Sequence, residues 1–290
     1  MDNMELIELI RGGIGVVSSS ISAIVGALIT TLFLRKDTKA LEFEKIKAAK
    51  FGEVIAELLS SGKMSYLEYY KCNNFLKIAK KADNIKIFED KDSDKQISYD
   101  FDWFVRFYDY ASCVSNEDMQ EIWASILARE VSKPGTNSIS LLHSLSMMSK
   151  EQAQFFCNIS RFALRDIKDN IPLLLLFVSS NRQAYKSSGI TPDYLKELER
   201  LGLLDCDFSS EFIFLKKKMF RTGNRSITVY GDPNNEQKIK AGNVIFTKDG
   251  QSLYSVIDDS YKEYRSDILD FTVSKFKSRN CRVIINDREI

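Results

Sequence analysis

Histidine is almost missing: His143 is the only one in 290 residues. That excludes multi-histidine metal sites and leaves any histidine-based catalysis dependent on one side chain. Cysteine is sparse and scattered, at Cys72, Cys113, Cys157, Cys206 and Cys281, with no CxxC pair. Such spacing suits buried thiols in a reducing compartment and argues against a disulfide frame or a zinc site. An excess of either charge is absent too. Lys and Arg number 41 against 40 Asp and Glu, so composition gives no sign of a polyanion-binding chain. No phosphate loop, dinucleotide fingerprint, nuclease constellation or nucleophile elbow occurs. Gly12-Gly13-x-Gly15 is no phosphate loop, because no strand precedes it. These absences read as a protein that is not an enzyme, with no catalytic residue, cofactor or metal assigned.

One long apolar run is present. Gly12 to Leu34 holds 23 residues without a charge. As a helix rising about 1.5 Å per residue it spans roughly 35 Å, against a hydrocarbon core of about 30 Å. The acidic tail before it lacks the basic start of a signal peptide. The expectation is therefore a single-pass membrane anchor. Arg35, Lys36, Lys39, Lys45, Lys47 and Lys50 outnumber Asp37, Glu42 and Glu44 just after it. The positive-inside rule then places the body in the cytoplasm, on the bacterial inner membrane. Gly15, Ser19, Ala23 and Ala27 recur every fourth residue, as do Ser18, Ser22, Gly26 and Thr30. Small residues at that spacing let helices approach closely, which predicts a homo-oligomer packed through this segment in the lipid bilayer.

The remainder divides by composition into segments expected at 1–36 (tail and span), 37–88 (helical stalk or hairpin), 97–170 (helical module) and 171–290 (an α+β part). Ser65 with Glu68 three residues on predicts a capping box. Glu89 to Gln96 is charged and reads as a linker. Asp100 to Ala111 is aromatic but has Arg106 as its only nearby cation, so it reads as a core helix and not as a base-stacking platform. Ser115 is expected to cap the next helix. Met119, Ile122, Trp123, Ile126 and Leu127 form that helix's apolar face, and Lys133-Pro134-Gly135 ends it. A short helix with Ile139, Leu142 and Leu145 follows, then one capped by Ser149 with Gln152. The serines around His143 (Ser138, Ser140, Ser144, Ser146) permit a Ser–His pair on paper, but a capping or surface histidine is the better reading.

A resemblance becomes visible at these residues. Gln120, Glu121, Trp123, Ala124, Leu127, Ala128 and Glu130, then Lys133-Pro134-Gly135 and Ser140, then Leu145 and Ser149, resemble the core of an uncharacterised bacterial domain family. A looser likeness is to the abortive-infection alpha proteins, which share a helix, a serine-led second helix and a third helix of leu-ser-x-glu-x-ala pattern. The close match, to the uncharacterised family, covers about Val114 to Phe156. The likeness implies a helical body and a role in phage defence, and it supplies no enzymatic residue.

Beyond Ile171, Pro172 to Val178 reads as a buried segment. Thr191 caps a helix that has Pro192 at its first position. Phe212 to Met219 and Ser226 to Tyr230 read as a hairpin, followed by a strand at Asn243–Phe246, a helix capped by Thr247, a helix near Ser260–Lys277 and a strand at Cys281–Ile285. This order resembles a winged helix. The expected fold class is mainly α with a small α+β C-terminal part: a transmembrane helix, a helical module and a winged-helix-like domain. Lys216, Lys217, Lys218, Arg221 and Arg225 cluster on the would-be wing. Residues 191–290 nonetheless balance at 17 basic to 16 acidic, so nucleic acid stands second to an unknown protein partner. Asp205-x-Asp207 is too common a pattern to assign. The expected function is a membrane-anchored interaction or effector protein. The alternative is a tethered regulator whose winged helix binds nucleic acid.

Overall fold

The computed structural model describes residues 60–62, 65–85, 100–168, 172–174, 176, 185, 189–222, 225–257, 266–286 and 288–289. Among them no helix is long and apolar enough to cross a membrane. The longest, Tyr66–Asn84, carries Glu68, Lys71, Lys77, Lys80 and Lys81 along its length. The expected span at Gly12–Leu34 and the stalk at Thr38–Leu59 lie outside the described residues. The single-pass anchor, the membrane fold class and the inner-membrane location drawn from them are corrected accordingly. What the structure supports is eight helices and several antiparallel sheets among the described residues.

The chain divides into two compact units, Met1–Leu142 and His143–Ile290. In the first, α1 (Tyr66–Asn84) packs against α2 (Phe101–Ala111) and α3 (Glu117–Ser132). The capping box at α1 is formed as expected, with Ser65 accepting from the Glu68 amide and Glu68 accepting from the Ser65 amide. Asp100 caps α2, and Asn116 caps α3, one residue later than Ser115. The aromatics of α2 are core. Phe75 meets Phe104, Phe107 and Tyr108 edge-on, Trp103 stacks on Phe107 at 5.2 Å, and Phe107 meets Trp123 edge-on at 5.3 Å. Aromatic pairs in these geometries add about 0.5–1.5 kcal/mol each beyond the area they bury.

α3 ends in a polar lock. Glu130 is only 5% exposed, and its carboxylate accepts from the backbone amides of Gly135 and Asn137, from the Asn137 side-chain amide and from the Thr136 hydroxyl. Gly135 sits at φ +79, the left-handed region that glycine enters without a Cβ penalty. The Lys133-Pro134-Gly135 turn is thus tied back to the helix it terminates. The division between units falls within the next helix, α4 (Ile139–Met147).

In the second unit, α5 (Lys150–Ser160) starts at the expected Ser149–Gln152 capping box. Beyond it, α6 (Pro192–Arg200), α7 (Lys248–Val256) and α8 (Ser266–Lys277) surround antiparallel strands. Six of these, β1 (Ala163–Asp166), β2 (Pro172–Leu174), β5 (Lys217–Thr222), β6 (Arg225–Tyr230), β9 (Arg282–Ile285) and β10 (Arg288–Glu289), form one sheet in the order β10-β9-β6-β5-β1-β2. Two ribbons accompany it: β3 (Leu204–Cys206) with β8 (Val244–Phe246), and β4 (Ile213–Leu215) with β7 (Lys238–Lys240). Phe220, Ile227, Val229 and Val283 are buried on one face of the sheet, and α8 packs on β9 through its buried Leu269, Val273 and Phe276. α7 lies close against the end of α6. A Cβ on Gly250 would stand 2.0 Å from the Leu203 carbonyl oxygen.

This topology overturns the winged-helix expectation. A wing is a hairpin at the edge of a small sheet. Here β5 pairs with β1 on one side and β6 pairs with β9 on the other, so the hairpin is the centre of the sheet. The expected single strand Phe212–Met219 is also broken, because Lys216 adopts φ +66 and turns the chain from the β4–β7 ribbon into the main sheet.

Candidate functional site

The five basic residues singled out from the sequence fall on this central hairpin, and the period-two alternation of a strand separates them. Lys218 lies on the covered side. It ion-pairs with Asp166, itself only 3% exposed, and its ammonium lies 5.2 Å from the centre of the Phe214 ring. Its role is structural. Lys216 is exposed at the bend, and Arg225 is exposed at the start of β6. Lys217 and Arg221 are exposed on the uncovered face, with Met219 between them at 38% exposure.

The register completes that face. Lys217 stands opposite Tyr230, and Tyr230 opposite Arg282. The Lys217 ammonium lies 5.2 Å from the Tyr230 ring centre and the Arg282 guanidinium 4.4 Å from it. Both distances are within the cation–π range of about 6 Å. The next row is Met219, Thr228 and Ile284, and the third is Arg165, Arg221 and Ser226. Arg165 and Arg221 are direct cross-strand partners, and neither forms an ion pair with a carboxylate among the described residues. Arg165 instead lies 5.7 Å from the Tyr254 ring centre. Like charges directly opposite one another on a sheet repel. At about 3.3 Å per residue and about 4.8 Å between strands, the cations frame an area of roughly 13 by 14 Å. On the β4–β7 ribbon, Ile213 and Leu215 are 49% and 60% exposed, in register with Lys240 and Lys238, and Lys238 is paired with Glu236.

Sequence reading missed Arg165 and Arg282. Each lies far along the chain from the hairpin, and only the pairing of β1 and β9 brings them to it. The strand at Cys281–Ile285 was visible, but nothing local announces its neighbour.

The other residues considered have local roles. Asp207 organises a turn, accepting from the amides of Ser209 and Ser210 and from the Ser210 hydroxyl. These bonds, the Ser210 hydroxyl first, hold its carboxyl below the usual range. Asp205 is exposed on β3. The Ser146 hydroxyl donates to the His143 carbonyl, and His143 itself is exposed. All five cysteines are free thiols, and burial raises Cys72 to about 11 and Cys206 to about 12, the opposite of an activated nucleophile. No group of side chains able to hold a metal occurs among the described residues. Gly15, Ser19, Ser22, Ala23, Gly26, Ala27 and Thr30, expected to pack a membrane helix, lie outside the described residues, as do Asp258 and Asp259.

A family model described as a protein of unknown function, DUF2806, matches residues 61–269. The chain belongs to the DUF2806 family. The match takes in α1 through the start of α8 and so includes the central hairpin, whereas Arg282 lies beyond it. No curated protein and no solved structure matches the chain. The expectation of an uncharacterised domain family is met at that level. The family carries no assignment to phage defence, and that expectation is left without support.

Proposed function

We propose that this DUF2806 protein is a non-catalytic interaction protein that docks an anionic macromolecule on the open face of its central sheet. One observation carries the reading. From Ile213 to Tyr230 the chain holds Lys216, Lys217, Lys218, Arg221 and Arg225 and not one carboxylate. Only Lys218 is neutralised by an ion pair among the described residues. A chain with a net charge of +1 has brought Lys217, Arg221, Arg165 and Arg282 to one face, and such a patch attracts an anionic partner far more than the overall balance suggests. The looser likeness to the abortive-infection alpha proteins fits the same reading, since it implies a helical body and supplies no enzymatic residue.

The test is retention of the purified full chain on immobilised heparin, eluted with a salt gradient. Lys217→Ala and Arg221→Ala are expected to elute at lower salt, and Lys81→Ala, on α1, at the parent position. Identical elution of all four proteins would refute the docking face.

A further inference from the structure

We infer that the occupant of this face is single-stranded nucleic acid, a step that rests on the docking face proposed above. Three features select it. First, the cations are interleaved with groups on which a base can lie. Tyr230 is held between Lys217 and Arg282, so a base stacks on it by displacing one of the two cations from the ring, and Met219, Thr228 and Ile284 form the row beside it. Strand-binding proteins combine a cationic track with such platforms, because every base has a π-face and every nucleotide a phosphate. An acidic peptide needs the cations but not the aromatic ring.

Second, two of the cations nearest that row, Arg221 and Arg282, are arginines. A guanidinium stacks on a base and binds a phosphate in two-pronged fashion, and a lysine does only part of this. The juxtaposed Arg165 and Arg221 repel one another until an anion lies between them, and a phosphodiester supplies that charge.

Third, the helix that would read a duplex is not basic. Groove readers insert a helix or a ribbon into the major groove. α6, which follows a Thr191 cap and would be the reading helix of the discarded winged-helix arrangement, holds Asp193, Glu197 and Glu199 against Lys196 and Arg200. Its Lys196 is engaged by Glu199 at 2.6 Å. What remains is an open sheet face, onto which unpaired bases can splay.

The experiment is fluorescence anisotropy of a labelled 20-nucleotide oligo(dT) titrated with the purified full chain, alongside a 20-base-pair duplex and labelled polyglutamate. Four phosphate contacts predict a salt slope near −2.8 on logarithmic axes, so raising salt from about 50 to 200 mM weakens binding about 50-fold. Replacing both Arg221 and Arg282 by Ala is expected to bring the slope to about −1.4. Tyr230→Ala is expected to weaken binding about tenfold, whereas Tyr230→Phe, which keeps the ring, stays near the parent. Unchanged thermal midpoints for these variants keep the comparison clean. Equal affinity for the duplex, or Tyr230→Ala binding like the parent, overturns the single-strand assignment. Binding of polyglutamate but not oligo(dT) overturns it as well, while leaving the anionic docking face standing. Failure of every polyanion, together with unaltered heparin elution, removes both.

Discussion

Glu130 offers the sharpest test of how the helical unit is held together. Glu130→Ala removes the acceptor for the Gly135 and Asn137 amides, and Asn137 is 3% exposed. The Asn137 side chain keeps a bond to the Ile126 carbonyl at 3.3 Å, so the two backbone donors carry most of the loss. A buried donor left unmade costs about 1–3 kcal/mol. The Asn137 amide is such a donor, whereas Gly135 is exposed and its amide can turn to water, so the net loss, offset in part by no longer burying a carboxylate, is about 2 kcal/mol. Glu130→Gln keeps the volume and one acceptor oxygen and is expected to lose about half as much. The assay is urea unfolding read by tryptophan fluorescence. The chain has two tryptophans, Trp103 and Trp123, 4% and 0% exposed, and both lie in the unit that contains Glu130. With a denaturant slope of about 1–2 kcal/mol per molar, the midpoint falls by about 1–2 M. A shift worth less than about 0.5 kcal/mol in Glu130→Ala would show that the turn is held by something else.

Two further outcomes follow from the second unit. Gly250→Ala, which in an open helix raises stability by about 0.5–1 kcal/mol, is expected here to lower it by about 2–3 kcal/mol, because its Cβ meets the Leu203 carbonyl; a raised melting temperature would contradict the close approach. Glu199 accepts from the Lys196 ammonium, which lowers its pKa most, and from the Cys206 amide, which lowers it further. A carboxylate whose folded pKa is depressed stabilises fully above its ordinary value and loses that contribution as pH falls through the lowered one. Thermal melts of Glu199→Gln between about pH 6 and pH 3 are therefore expected to fall less steeply than the parent's, and parallel curves would refute the coupling.

Local chemistry was legible where it is written within a few residues. Ser65, Ser149, Thr191 and Thr247 each cap the helix expected of them, because a cap depends on a side chain and an amide two or three positions on. The aromatic stretch at Asp100–Ala111 was read as core for want of cations, and Trp103, Phe104 and Phe107 are buried. The hairpin Ile213–Tyr230 was visible as two β-rich runs, yet its surroundings were not. Pairing of β5 with β1 closes about 50 residues of chain, and pairing of β6 with β9 closes a similar length, and no residue in the hairpin encodes either partner. The order of elements from Thr191 to Thr247 therefore suggested a wing. The same blindness hid half of the candidate site, since Arg165 and Arg282 arrive on those two strands.

The run Lys216-Lys217-Lys218 shows why the sheet had to be known before the basic cluster could be interpreted. Three adjacent lysines look interchangeable in sequence, and neutralising them together is the natural experiment. The structure gives them three different tasks. Lys216 occupies a left-handed bend, Lys217 lies against Tyr230 on the open face, and Lys218 neutralises a buried aspartate. Removing Lys218 takes away the cation that faces a 3% exposed carboxylate, and although Lys218 is itself partly exposed and Asp166 also accepts from the Lys168 amide, the loss falls on the fold and not on the open face. A triple variant would thus mix a loss of stability with any loss of binding, whatever the partner. Only substitutions confined to the open face, at Lys217, Arg221, Tyr230 and Arg282, separate recognition from folding. The alternation of a single strand decides which lysine belongs to the site and which to the core.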